Sequence, residues 1–450
     1  MFFEHLQDIT ARRRNKVSHS DFLLWKIRAY LKELHAELEL RIDKRLARTF
    51  YSLFVIILMH RERAMGLLLS ELGGYLCGFA HAPAGTKRIS NLLRSPKWSA
   101  EQIDQFFFQR SIRRIKELQR QGQRALMLWD DSVVEKPESW FAQALGSVWS
   151  SKARRLTRIK PGYFTPPSTR ICVPGFQWTA MLVSHLGGKP SVCRMDWWTT
   201  RGKFKEHGTN FIFRLLRDLQ QQLDQSVLHV FDRGYARIGM LVQLLHFEQD
   251  FLIRWLSRYQ LRHAAFGLQA THQISRRAER RSSRVVWDKV RKKQRRVNLS
   301  YEQVWHPDLP DQPLYLLIIR DRSTSSSPMY LVTNLVIDSS QLAWQLLFSY
   351  MHRWEVEQAF RFHKSELGIE SIRLWFWGNR RKLMGMVSLV YDFLMQLLRG
   401  WPSVVQAMLR KWNHRTGAKQ KAARTPIYRL RAAIAMCLLT GFLSILQNSG

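Results

Sequence analysis

Apolar side chains recur at three- and four-residue spacing from Asp21 to about Phe79, through LLWKIRAYLKELHAELELRI and again through FYSLFVIILM, which predicts amphipathic helices. HAPAGTK at 81–87 interrupts them with Pro and Gly. The next segment, KRISNLLRSPKWSAEQIDQFFFQRSIRRIKELQRQ, interleaves Lys and Arg with apolar positions, as helices lying along a phosphate backbone do. A helical bundle whose charged face is only solvated is the alternative. The pattern then shifts to period two. RALMLWDD is an apolar run ending in acids, strands are predicted in STRICVPGFQWTAMLVSHL and KPSVCRMDWW, and a helix runs from about Asn210 to Gln225. SVLHVFDRGY repeats the strand-then-acid arrangement ahead of the helix ARIGMLVQLLHF, so two predicted strands end in aspartate.

Residues 251–335 alternate β-type runs, FLIRWLSRY, RRVNLSY, PLYLLIIRDR and PMYLVTNLVI, around a densely basic stretch from Arg276 to Arg296. That stretch is either a disordered loop or a hairpin that tracks phosphates, and contacts DNA in both cases. Helical period returns from Ser339 to about Leu367, in SLVYDFLMQLLRG and from Ala432 to Leu446, and no internal repeat is evident. The expected division is a helical DNA-end recognition domain (1–120), the first part of an α/β core (121–250), a β-rich basic insertion (251–335), the remainder of the core (336–400) and a C-terminal helical region (401–450).

Charge narrows the partner. The 450 residues are 46% hydrophobic, enough for a sizeable core, yet carry a net charge of +36, far beyond what solubility requires. Such a surface repels itself unless a polyanion is near, and nucleic acid is the natural one. No apolar run approaches the roughly twenty residues of a spanning helix, and Glu4 and Asp8 stand where a signal peptide would be basic, so a cytoplasmic protein without a membrane partner is expected. Cys77, Cys172, Cys193 and Cys437 lack metal or disulfide spacing and are read as buried reduced thiols.

The chemistry is sharpest in YMHRWEVEQAFRFHK. On an ideal helix the side chains of Arg353, Glu357, Arg361 and Lys364 point to about 300°, 340°, 20° and 320° from Tyr350, one stripe of polar groups. A solvated face could also show this pattern. Tyr, two residues, Arg, three residues, Glu, six residues, Lys: these intervals resemble the YREK signature of DDE transposases from bacterial insertion sequences. Asp130 and Asp232 close strands upstream in the matching order, and the resemblance covers about residues 120–370.

The resemblance implies an RNase H-like catalytic core, in which a sheet flanked by helices brings Asp130, Asp232 and Glu357 to one edge. Two Mg2+ ions, with Mn2+ able to substitute, would be held by these acids as hard oxygen donors, activating the nucleophile and stabilising the leaving oxygen. Asp130 is favoured over its neighbour Asp131 because the family commonly has Ser or Thr two residues after the first acid, here Ser132. Tyr350, Arg353, Arg361 and Lys364 would grip DNA phosphates. Tyr330 would stack on a flipped base, and Trp354 is either core or a second stacking residue. Asp196, Glu135 and Glu138 are read as solvated acids. The implied activity is cut-and-paste transposition in the prokaryotic nucleoid: cleavage at inverted-repeat ends, then strand transfer into target DNA by a homodimer assembled on DNA, with 401–450 as its candidate interface. A non-catalytic DNA-binding descendant and an RNase H-like nuclease that cuts without joining are the alternatives.

Overall fold

A computed structural model describes residues 18–61, 66–139, 141–150, 152, 171–222, 227–288, 293–321, 327–412 and 426–447. Glu4, Asp8 and residues 289–292 of the basic stretch lie outside these ranges.

The first helix, α1 (His19–Glu39), starts where the Ser18 side chain accepts the Asp21 amide, and α2 (Lys44–Met59) starts where Asp43 accepts the amides of Arg45 and Leu46. FYSLFVIILM forms the second half of α2, buried from Leu53 to Met59, so its all-round apolarity reflects a central core helix. Among the described residues no helix is long and apolar enough to cross a membrane. Helices α3 (Leu69–Cys77) and α4 (Ala82–Arg94) meet at glycines: a Cβ on Gly85 would lie 2.1 Å from the Gly73 carbonyl oxygen. The last helix of this region is α5 (Glu101–Arg120).

The strands β1 (Ala125–Glu135), β2 (Gly146–Trp149), β3 (Cys172–Ser184), β4 (Ser191–Trp198), β5 (Val227–Phe231), β6 (Asp250–Trp255), β7 (Gln260–His263), β8 (Gly267–Ala270), β9 (Ser282–Asp288), β10 (Lys293–His306), β11 (Leu309–Asp321) and β12 (Met329–Thr333) form one mixed sheet. Its order is β2-β3-β1-β5-β6-β12-β11-β10-β7-β8, with β4 also on β3 and β9 also on β10. At its centre β1, β5 and β6 run parallel, linked by crossovers that include α6 (Gly208–Gln220) and α7 (Ile238–His246). The fold is therefore mixed α/β. The region 251–335 is β-rich, and its first and last strands, β6 and β12, are central strands of the same sheet rather than appended to it.

Two apolar clusters cover the two faces. One contains Leu126, Leu128, Leu228, Val230, Leu252 and Leu331; the other contains Met127, Trp129, Val227, Phe231, Ile253 and Tyr330, the alternate positions of the same strands. The first cluster also takes in α1 and α2, the buried helix α11 (Trp377–Gly400), α12 (Pro402–Trp412) and the side chains of α13 (Pro426–Gln447) up to Leu438, while α8 (Thr271–Arg277) gives Ile274 to the second. Residues 18–120 thus share a core with C-terminal helices, and polar ties reinforce it: Tyr30 donates to the Asp392 carboxylate at 3.0 Å and the Val192 amide does so at 2.9 Å.

Three expectations need correction. Asp196 is buried beside Arg194 (2.8 Å) and Arg381, and Glu135 is buried and accepts the Ser150 hydroxyl at 2.8 Å, so neither is a solvated acid. Cys193 and Cys437 are buried, but Cys172 is exposed at the start of an edge-paired segment of β3.

Candidate active site

Register decides which side chains meet. Leu128 pairs with Val230 across β1 and β5, and Val230 pairs with Leu252 across β5 and β6. Two residues further along each strand, on the same face, come Asp130, Asp232 and Arg254. The apolar row thus gives way to a polar row where the parallel pairing of three adjacent strands ends; β5 and β6 stop there, whereas β1 continues past Asp130 to Glu135, so this acid does not close its strand as the apolar run suggested. Asp131 points to the opposite face, where it accepts the Thr179 hydroxyl at 2.6 Å and lies by Tyr235.

The polar row is capped by the YMHRWEVEQAFRFHK segment, which is two helices rather than the one expected: α9 (Ser340–His352) and α10 (Trp354–Ser365). At the break the Arg353 amide bonds to the Tyr350 carbonyl and the Val356 amide to the Arg353 carbonyl, both at 3.0 Å, the three-residue pattern of a tightened turn. Tyr350 and Lys364 therefore do not lie on one straight stripe. The break instead drives Arg353 between the acids. Its guanidinium donates to Asp130 Oδ2 at 2.8 Å and to Glu357 Oε1 at 2.5 Å, while the Tyr350 hydroxyl donates to Asp232 Oδ1 at 3.2 Å. Three carboxyl groups from distant parts of the chain are thereby joined through two side chains one helical turn apart.

The electrostatics follow from this crowding. Burial pushes the Asp130 carboxyl up to about 7; Arg353 opposes the shift, while Asp232 and Glu357 add to it. Despite burial, which pulls the other way, Asp130, Tyr350, Asp232 and Glu357 hold the Arg353 guanidinium above its ordinary value. Burial and then Asp232 raise the Tyr350 phenol, with Arg353 and Arg254 opposing. The donor set suits a hard divalent cation, since carboxylate oxygens are its preferred ligands and the acids carry more negative charge than one guanidinium balances. As arranged, the cation between Asp130 and Glu357 is Arg353, and among the described residues no three His, Cys, Asp or Glu close on a metal-sized point.

The remaining predicted residues scatter. Arg361 is exposed and lies over the Trp354 ring at 5.7 Å; Trp354 is 47% exposed, so it is not core. Lys364 lies 3.7 Å from Glu370 and lines a cavity of about 280 Å3 with Lys152 and Arg373, seven residues past Glu357. Tyr330, the candidate for base stacking, is only 4% exposed: it pairs with Trp255 on β6 and packs in the cluster on the face opposite the acids. Arg254 was not singled out from the sequence. Its signal is a lone cation in the apolar run FLIRW, in register with two acids that follow apolar runs.

Residues 205–393 match the family model described as the Transposase DDE domain. That span contains Asp232, Tyr350, Arg353, Glu357 and Lys364 and begins after Asp130. No curated protein matches the chain. Among solved structures, the cryo-EM structure of the piggyBac transposase synaptic complex with hairpin DNA aligns with 97% of this chain and 86% of its own, at 12% identity and a TM-score of 0.43.

Proposed function

We infer that this chain is a DNA transposase of the DDE type, of the YREK group of bacterial insertion sequences, working by cut and paste. It cuts at the inverted-repeat ends of its element and joins the freed 3′-hydroxyl to target DNA. The observation that carries the reading is the meeting of Asp130, Asp232 and Glu357 around Arg353 and Tyr350 where the parallel pairing of β1, β5 and β6 ends. The match of 205–393 to the transposase DDE domain and the charge of +36 support it. The core is read as RNase H-like, a sheet flanked by helices that gathers acids at one edge.

Asp130, Asp232 and Glu357 are the residues that would hold divalent metal, two Mg2+ in this reading. When bound, the metal supplies activation of the attacking oxygen and stabilisation of the leaving one. The protein's own groups do the rest. Arg353 carries a planar fork that fits a phosphate as well as it fits two carboxylates, so a DNA phosphate can draw it from Asp130 and Glu357. Tyr350 and Arg254 flank Asp232 and contribute a hydroxyl donor and a second cation. Exposed Trp354, with Arg361 over its ring, offers a base a stacking surface. Lys364 adds a mobile charge further along the helix, and helices of 401–450 are assigned to the dimer formed on DNA.

The test is nicking of a duplex bearing the element's end, with Mg2+. Wild type is expected to nick and to yield strand-transfer products, and Glu357→Gln and Asp232→Asn to bind the duplex without nicking it. Binding without cleavage by wild type would leave only a DNA-binding descendant. Cleavage without joined products would leave a nuclease.

A further inference from the structure

Four aromatic side chains stand in solvent on one side of the molecule: Phe141 is 83% exposed, Trp375 56%, Phe376 48% and Phe204 37%. Exposure of this kind in a single residue is ordinary, but these are drawn together by specific bonds. The Gln143 amide donates to the Trp375 carbonyl at 3.0 Å, the Trp377 amide donates to Gln143 Oε1 at 3.1 Å, and Arg380 donates to the Gln143 carbonyl at 3.0 Å. The Phe204 ring lies 6.4 Å from Trp377. Three loops, following β1, β4 and α10, are thus locked side by side. Two of these loops also carry exposed cations, Arg201, Lys203 and Lys205 around Phe204 and Arg373 ahead of Trp375, and Lys203 lies over the Phe204 ring at 5.1 Å.

The position of the patch in the fold gives it a partner. Two of the three elements that carry the acids lead into it: β1 runs five residues past Asp130 to Glu135, and α10 continues from Glu357 into the loop that holds Trp375. Five strand residues span roughly 17 Å, the length of about five base pairs. On the other flank of the acids, the β9–β10 hairpin presents Arg284 and Arg296, with Arg284 over the Trp344 ring of α9 at 5.1 Å. The acids therefore lie between two basic surfaces; among the described residues the one beyond β1 carries four exposed aromatics from three loops, and the hairpin carries Trp287.

We propose that the Phe141–Phe204–Trp375–Phe376 surface binds target DNA, stacking on bases unpaired or unstacked near the site of joining while Arg201, Lys203, Lys205 and Arg373 take its phosphates. Aromatic faces accept any base, so such a surface favours distorted DNA over a particular sequence. The assignment rests on the transposase reading, with the element's end held on the Arg353 and hairpin side.

The test compares full-length wild type with the double variant Trp375→Ala/Phe376→Ala on two duplexes without element ends, one fully paired and one with a short unpaired bubble. Wild type should prefer the bubble, and the variant should lose that preference by about tenfold or more, with less than about threefold change on paired DNA. Cleavage of an end-bearing duplex should be retained and strand transfer reduced. Phe204→Ala, on a separate loop, should reproduce the effect in part and guards against a folding artefact. An intact bubble preference in both variants would overturn the proposal. So would a change of oligomeric state with DNA binding unaltered, which would make the patch a subunit contact. Bubble binding needs no metal, so these outcomes are separate from loss of the catalytic reading, which Glu357→Gln reports.

Discussion

Replacing Arg353 with Gln removes the cation that now lies between Asp130 and Glu357. Its two contacts are 2.8 and 2.5 Å long, and the Arg353, Asp130 and Glu357 side chains are 9%, 17% and 33% exposed. At an effective dielectric near 20, each contact corresponds to roughly 6 kcal/mol of attraction. Most of it offsets the desolvation of the charges, and Glu357 is further screened by water. Loss of the partner also lifts the Asp130 carboxyl beyond about 7, so it takes up a proton at neutral pH and relieves part of the repulsion. A net destabilisation of about 2–4 kcal/mol follows.

The same substitution should open the acids to metal. Thermal unfolding of wild type and Arg353→Gln would be followed at pH 7.5 in chelator, with Mg2+, and with Mg2+ plus end-bearing DNA. In chelator the variant should melt several degrees lower. Mg2+ at about a hundred times its Kd adds about 2.7 kcal/mol to a protein that binds it only when folded, so Mg2+ should close much of the gap for the variant. It should move wild type little until DNA is present to draw Arg353 away. Equal Mg2+ responses of both proteins without DNA would refute the idea that Arg353 and metal compete for these carboxylates.

Face-by-face chemistry separates the adjacent aspartates: Asp130→Asn should abolish nicking, while Asp131→Asn, whose amide oxygen can still accept from Thr179, should keep it within about threefold and cost about 1 kcal/mol in a urea melt. Burial pushes His229 and His363 down from an ordinary 6.5 to about 4, so between these values the unfolded chain binds more protons. Stability is then complete above pH 6.5 and lost as pH falls toward 4, by about 3 kcal/mol for each histidine; His363→Phe, which keeps a ring against Trp178, should remove about half of this acid sensitivity. Gly85→Ala should destabilise the fold by at least about 1–3 kcal/mol, because its Cβ would meet the Gly73 carbonyl oxygen at 2.1 Å, and a substitution without effect on the melting temperature would contradict that close crossing. If about eight phosphates are neutralised, DNA affinity should fall with a log-log salt slope near −7, and a flat dependence would remove DNA as the partner.

How far the site is legible in the sequence depends on whether its geometry is local. Asp130 and Asp232 stand out because each ends a buried apolar run, and the runs that carry them lie side by side in parallel register. Glu357 stands out by its spacing from Tyr350 and Arg353. Spacing alone assumes an unbroken helix, however, and WEVEQAF has no Pro or Gly to announce the break at Arg353. What the break serves is equally non-local: the side chain there bonds to Asp130, 223 residues away in sequence.

Non-local register explains the other misses. In MYLVT nothing marks which alternate set faces the acids, since Tyr330 and Val332 are as apolar as Leu331. Only pairing with β6, which sets Leu331 opposite Arg254 and Tyr330 opposite Trp255, decides it and turns Tyr330 away. The packing of the N-terminal helices is non-local in the same way: their apolar faces were visible, but not that Tyr30 closes on Asp392 and Phe393 of α11.

Placing Arg254 in the polar row changes how the site is balanced. Two cations, Arg254 and Arg353, and one hydroxyl now flank three acids, so a negative excess of at most about one charge remains before any ligand arrives. A phosphate that draws Arg353 away restores the negative excess at Asp130 and Glu357, while Arg254 stays on its strand beside Tyr350. Binding of DNA and binding of metal should then strengthen one another, because each ligand removes the obstacle to the other. The coupling should vanish in Arg353→Gln, where no guanidinium remains to be displaced, and persist in Arg254→Gln. Equal loss of coupling in both variants would assign it to net charge rather than to displacement of one side chain.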